Sequence, residues 1–125
     1  MADFASIAQQ FVQFYYDTFD TNRQNLAALY RDHSMLTFEN AASQGATSII
    51  AKLQELQFSK IKHQVATLDA QPSSEDGGIL VLVTGALLVE EEGRPMSYTQ
   101  AFQLRPEAGS YYVFNDVFRL VYAAA

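Results

Sequence analysis

The hydrophobic positions of this chain change their period partway along. Phe4, Ile7, Ala8, Phe11, Tyr15 and Phe19 recur at steps of three and four, the spacing of one stripe on an α-helix of about four turns, and Asp3 stands where an N-cap belongs. Asp20 and Thr21 interrupt the stripe. Thr21 with Gln24 reads as a capping box opening a second helix, with Leu26, Leu29 and Tyr30 on one face. A short strand over 35–39 follows, and after Gly45 a third helix carries Ile49, Ile50, Leu53 and Leu56. From Ile61 onward the period is two. Four strands are predicted, over 61–71, 79–91, 97–105 and 111–122, separated by turn-forming segments at 72–78, 92–95 and 106–110 that are rich in Pro, Gly, Ser and acidic residues.

Two of these strands are apolar on both faces. In the last, Tyr112, Phe114, Phe118, Leu120 and Tyr122 alternate with Tyr111, Val113, Val117 and Val121; in the strand from Ile79, the set Ile79, Val81, Val83, Leu87 and Val89 alternates with Leu80, Leu82, Ala86 and Leu88. Helices followed by consecutive strands imply an α+β fold with a largely antiparallel sheet and the helices on one face. Three helices cover one face only. The other would be an aggregation surface if left open, so a symmetric dimer is expected, sheet against sheet. His63, on a strand with Ile61 and Val65, and Val117 are the residues assigned to that interface, His63 reading as a hydrogen-bonded interface or core histidine rather than a general base.

Length and composition fit a single domain over 1–125, since 125 residues with 49% hydrophobic content supply an ample core. The net charge of -6 argues against a nucleic-acid partner, which needs a cluster of Lys and Arg to displace counterions from phosphates. No cysteine is present, which removes disulfides, thiolate catalysis and cysteine zinc sites and fits a reducing compartment. The N-terminus lacks a basic segment followed by an apolar core, so no secretory signal is expected. The longest apolar run, 79–89, is broken by Thr84 and Gly85 and too short for a membrane helix. His33 and His63 have no metal-ligand spacing, and no Gly-rich phosphate cradle occurs; no metal or cofactor is expected.

Several blocks together resemble the nuclear transport factor 2 family. They are Phe14-Tyr15-Tyr16 with Phe19-Asp20, Leu29-Tyr30, Leu36-Thr37-Phe38-Glu39, Gln44-Gly45, Leu68-Asp69-Ala70-Gln71-Pro72, and Phe114-Asn115-Asp116-Val117-Phe118-Arg119-Leu120. The likeness runs from Phe4 to the C-terminus in one register and looks closest to the fungal branch. It implies a cone-shaped α+β fold with three N-terminal helices on a strongly bent sheet. It also implies a homodimer that binds the small GTPase Ran in its GDP form and Phe-Gly-repeat nucleoporins, importing Ran-GDP into the nucleus. The implied location is cytoplasm and nucleus, concentrated at the nuclear pore.

The resemblance also assigns residues. Its Ran site maps onto Phe38, Glu39, Glu90 and Glu92 at the mouth of an apolar cavity, where an aromatic anchor from the GTPase enters and basic residues beside it meet the acids. Phe38 stands where some members have tryptophan, and Glu90 and Glu92 where some have aspartate. Taken alone, Glu90-Glu91-Glu92 reads as a solvated turn, and Phe4 as a core residue of an amphipathic helix; the resemblance makes Phe4 the nucleoporin contact. The competing function is an enzyme, because the same cone hosts isomerases and dehydratases. An acid–base pair for such chemistry can be drawn from Tyr15, Tyr16, His33, Asp69 and Asp116, by analogy with ketosteroid isomerase. A third reading is an adaptor domain of messenger-RNA export or RNA-granule proteins. Asn115 and Asp116 interrupt an apolar strand and call for buried partners.

Overall fold

The structure is a computed structural model that describes residues 3–56, 60–89 and 94–122. Helix α1 (Phe4–Thr21) buries Ala8, Phe11, Tyr15 and Phe19 of the predicted stripe together with Val12 and Tyr16, while Ile7 is half-buried and Phe4 exposed. The Asp3 carboxylate accepts from the N–H groups of Ala5 and Ser6 at 3.1 and 3.3 Å, so the predicted cap is the one used. The second helix departs from expectation. It is a 3-10 helix (Arg23–Leu29) capped by Asn22, whose side chain accepts from Gln24 N–H. Thr21 instead donates its hydroxyl back to the Asp17 carbonyl at 2.8 Å, closing α1, so no capping box forms. Helix α2 (Ala46–Gln54) follows Gly45, whose φ of 91° suits glycine.

Among the described residues six strands form one sheet: β1 (Tyr30–Phe38), β2 (Ala41–Gln44), β3 (Ile61–Pro72), β4 (Ile79–Val89), β5 (Met96–Glu107) and β6 (Ser110–Leu120). The order is β2-β1-β6-β5-β4-β3. The pairing of β1 with β6 is parallel and the other four are antiparallel. The helices lie on one face of this curled sheet, and the core fills the space between, as an α+β cone requires. Tyr98, Phe102, Leu104, Val81, Val83 and Leu87 come from the inner sheet face, against Tyr15, Val12, Ile49 and Leu53 from the helices.

Strand β4 keeps its predicted two faces: Ile79, Val81, Val83, Leu87 and Val89 are buried, while Leu80 and Leu82 are exposed. Strand β6 does not keep a strict alternation. Its register against β5 slips between Gln103 and Leu104, with Gln103 opposite Asn115 and Leu104 opposite Val113, so Phe114 is a bulge residue. One inserted residue reverses the faces downstream. Tyr111, Val113, Asp116, Phe118 and Leu120 therefore share the inner face, and Val117 turns outward with Asn115 and Arg119. A second slip, in β3 between Val65 and Thr67, lies opposite Gly85. A Cβ on Gly85 would sit 2.2 Å from the Gln64 carbonyl oxygen.

Candidate functional site

Among the described residues four places carry chemistry, and the deepest is a polar cluster inside the cone. Asp116 is fully buried. Its Oδ2 accepts from the hydroxyls of Tyr30 at 2.7 Å and Tyr15 at 3.0 Å, and its Oδ1 accepts from Gln100 Nε2 at 2.7 Å. The two tyrosine oxygens are 2.6 Å apart, and Tyr16 donates to Gln100 Oε1 at 2.8 Å. The cluster ties β6 to α1, β1 and β5. Burial pushes the Asp116 carboxyl up to about 6, opposed by the donors from Gln100, Tyr30 and Tyr15. Burial, reinforced by the neighbouring Asp116 charge, raises Tyr15 and Tyr30 well above the ordinary phenol value, and burial also raises Tyr16. Tyr98, whose hydroxyl has no partner among the described residues, is pushed up to about 12 by burial.

Of the residues weighed for acid–base work, the fold therefore brings Tyr15, Tyr16 and Asp116 together. Asp69 is exposed on β3, and His33 points elsewhere, its Nε2 2.8 Å from the Tyr112 hydroxyl. The interior cavity bounded by Tyr15, Gln100, His63, Phe38 and Phe118 has a volume of about 10 Å³, roughly one water. Every Asp116 oxygen is already bonded. No group of three or more His, Cys, Asp or Glu side chains suited to a metal occurs among the described residues. Nor, among those residues, is any helix long and apolar enough to cross a membrane.

His63 belongs to this interior, not to the outer sheet face. Its side chain is 2% exposed in the protomer, with Nδ1 2.7 Å from Asp20 Oδ1. Its ring stacks on Tyr16 at 4.1 Å and meets Phe19 edge-on at 4.8 Å. The backbone N–H of His63 donates to Asp20 Oδ2 at 2.9 Å, clamping the end of α1 to β3. The interface assigned to His63 from its strand position is corrected accordingly: its ring packs against Tyr16 and Phe19 of α1 inside the protomer, as the core reading had it. Val117 does face outward. Thr37, Val117, Ala101, Leu82 and Asp69 form a row across five strands, with Val117 44% and Leu82 46% exposed.

The mouth of the cone places Phe38 and Glu39 as neighbours. Phe38 stacks on Phe118 at 4.5 Å with the rings 4° from parallel, and Phe118 stacks in turn on Tyr98. Glu39 begins the turn into β2 with φ of 61°. Its N–H donates to the Phe118 carbonyl at 2.9 Å, and its Oε1 accepts from Leu120 N–H at 2.5 Å. Glu39 therefore fastens the end of β6 while its carboxylate stays at the rim. Glu90 and Glu92 lie outside the described residues.

Phe4, at the first turn of α1, is 37% exposed. It borders an open groove of about 670 Å³ whose apolar wall is completed by Ile7, Pro72, Ile79 and Tyr111. Phe19, at the other end of α1, lines the interior cavity with Phe38. Fifteen residues at 1.5 Å each put the two ends of the helix about 22 Å apart, so the groove and the mouth are separate sites.

Residues 7–120 match the family model described as the nuclear transport factor 2 (NTF2) domain. The protein named nuclear transport factor 2 in Davidiella tassiana is 70% identical over 125 residues, all of both chains. The solved structure of nuclear transport factor 2 from Cryptosporidium parvum superposes with a TM-score of 0.89 at 41% identity, covering 94% of each chain. A putative scytalone dehydratase from Novosphingobium aromaticivorans shares the fold at a TM-score of 0.75, but at 14% identity, over 94% of this chain and 84% of its own.

Proposed function

The chain belongs to the nuclear transport factor 2 family and is a nuclear transport carrier, and on that premise we propose that its cargo is the small GTPase Ran in its GDP form. The GTPase docks at the mouth, beside Phe38 and Glu39, and Glu90 and Glu92 are the further acids that the family resemblance adds to the site. Phe-Gly nucleoporins dock at Phe4. The working unit is a homodimer joined through the outer sheet face around Val117, and it shuttles between cytoplasm and nucleus, concentrated at the pore.

The observation that carries this reading is the separation of the two sites. A carrier must hold cargo and pore at once, and a half-exposed aromatic in an open groove about 22 Å from the mouth permits that. Burying one phenylalanine is worth about 1.5–3 kcal/mol, so each repeat contact is weak and quickly reversed. A dimer offers it twice, and avidity does the rest. At the mouth, an aromatic ring is far larger than the 10 Å³ interior. Cargo docking therefore requires the stacked Phe38 and Phe118 rings to shift, with the acids attracting the flanking basic residues. Because switch segments of GTPases rearrange with the nucleotide, such a contact reports nucleotide state.

The protein is not an enzyme in this reading. The only acid–tyrosine cluster among the described residues is internally saturated, and the cavity beside it admits no substrate. Charge reversal tests the rim: Glu90→Lys or Glu92→Lys should weaken Ran-GDP binding in calorimetry while the melting temperature stays within a degree or two. Wild-type affinity in both variants would remove the acidic rim from the cargo site.

A further inference from the structure

The groove beside Phe4 has a charge as well as a shape. Besides its apolar wall it is lined by Asp3, at the start of α1, and Glu75, on the β3–β4 turn, and by no Lys, Arg or His among the described residues. Asp3 caps α1, its carboxylate accepting from the Ala5 and Ser6 N–H groups. Glu75 sits on the turn between β3 and β4, exposed and without a partner among the described residues. The same turn carries Asp76, whose carboxyl is held below the usual range by the Ser74 hydroxyl and by Arg105. Ser74 also accepts from Gly78 N–H at 3.0 Å, which fixes the turn and hence the position of Glu75 at the groove edge.

We propose that this groove selects Phe-Gly segments that carry a lysine or arginine within a few residues of the phenylalanine, and discriminates against segments flanked by acids. The inference rests on the assignment of Phe4 as the repeat contact and adds the chemistry of the flanks. The apolar wall takes the aromatic ring. Two carboxylates bordering the groove then favour a cation next to the ring and repel an anion. Both acids are at the surface, so the effect belongs in the range of exposed pairs and weakens as salt shortens the Debye length from about 8 Å.

Three peptides with the core Phe-Ser-Phe-Gly and flanks of serine, lysine or glutamate test this by fluorescence anisotropy against the full chain. The expected order is lysine, serine, glutamate, with up to about fivefold between neighbours at low salt and a compressed series in 0.5 M salt. A uniformly acidic protein would give the same order without a local site, so two variants of equal net charge separate the explanations. Glu75→Lys should flatten or reverse the series while leaving the serine peptide nearly unchanged. Asp17→Lys, about 20 Å along α1 from Phe4, should leave the series as it is. Equal affinities for the three peptides, or equal effects of the two variants, overturn the charge selection while the Phe4 assignment stands. If no peptide binds, or if Phe4→Ala leaves the serine peptide unaffected, the Phe4 assignment falls and this inference with it.

Discussion

Replacing Asp116 by asparagine should change how stability depends on pH more than it changes the fold. The folded carboxyl titrates near 6 rather than 3.8 because it is buried, so the native state binds its proton more tightly than the unfolded chain does. Linkage fixes the sign: the contribution of this group is greatest below the unfolded value, falls as pH rises between about 4 and 6, and is flat above. A shift of about two units corresponds to about 3 kcal/mol. Asparagine removes the titration but keeps one acceptor for the tyrosine hydroxyls. Its amide needs Gln100 to flip, which offers Gln100 Nε2 to the Tyr16 oxygen and frees the Tyr16 proton for Tyr98, the hydroxyl now unpaired. The cluster can therefore be satisfied again. The assay is urea unfolding of both proteins from pH 4 to 7.5. Wild-type stability relative to the variant should fall by about 3 kcal/mol between pH 4 and 6 and then level off. A flat difference, or one that rises with pH, would refute the reasoning, because it would mean that the three donors outweigh burial and hold Asp116 ionised.

Phe4→Ala should weaken binding to Phe-Gly peptides with GDP-bound Ran unaffected; a parallel fall in melting temperature and both affinities would show that Phe4 is a packing residue. Val117→Glu places a carboxylate on the outward row, where it is harmless in a protomer but costs several kcal/mol when buried unpaired against a second sheet. Light scattering should then report a mass near 13.9 kDa with helix content retained, and an unchanged dimer would place the interface elsewhere. Gly85→Ala drives a methyl group into the Gln64 carbonyl, so the β3 bulge must open, and the melting temperature should drop by several degrees with loss of the β3 amide protection.

What the sequence made legible followed strong periodicity. Helix α1 with its Asp3 cap, helix α2, and strands β3 to β5 were predicted to within about two residues at most ends, because the helices and β4 and β5 each bury a regular stripe and β3 is bounded by turn-forming residues at 72–78. Strand β2 was missed. Ala41-Ala42-Ser43-Gln44 has no apolar alternation, and its pairing with β1 comes from the Glu39 turn at φ of 61°. The first half of β1, Arg31-Asp32-His33, is polar and reads as loop although it continues the sheet. The Phe114 bulge put Tyr111 and Val113 on the same face as Phe118, against the predicted alternation, while Val117 kept its outward place; a slip of one residue leaves no mark on composition. At the site level, Asp116 was visible as a polar residue in an apolar strand. Its partners Tyr15, Tyr30 and Gln100 lie 101, 86 and 16 residues away, so only the folded chain could join them. Phe4 was ambiguous by pattern, and the fold leaves it 37% exposed beside an open groove, a placement that spacing alone does not give. The pairing of Phe38 with Phe118 and the clamp from Glu39 to Leu120 likewise depend on the parallel β1–β6 contact, which no local spacing encodes.

Nucleotide discrimination tests the central claim most directly. The protein is immobilised and offered Ran loaded with GDP or with a non-hydrolysable GTP analogue, at equal concentrations and at physiological salt, with a Glu39→Gln variant alongside that keeps an acceptor for Leu120 N–H but removes the rim charge. The account predicts retention of the GDP form, little or none of the GTP form, and weaker retention by the variant at an unchanged melting temperature. Equal retention of both nucleotide forms, or of neither, would contradict it.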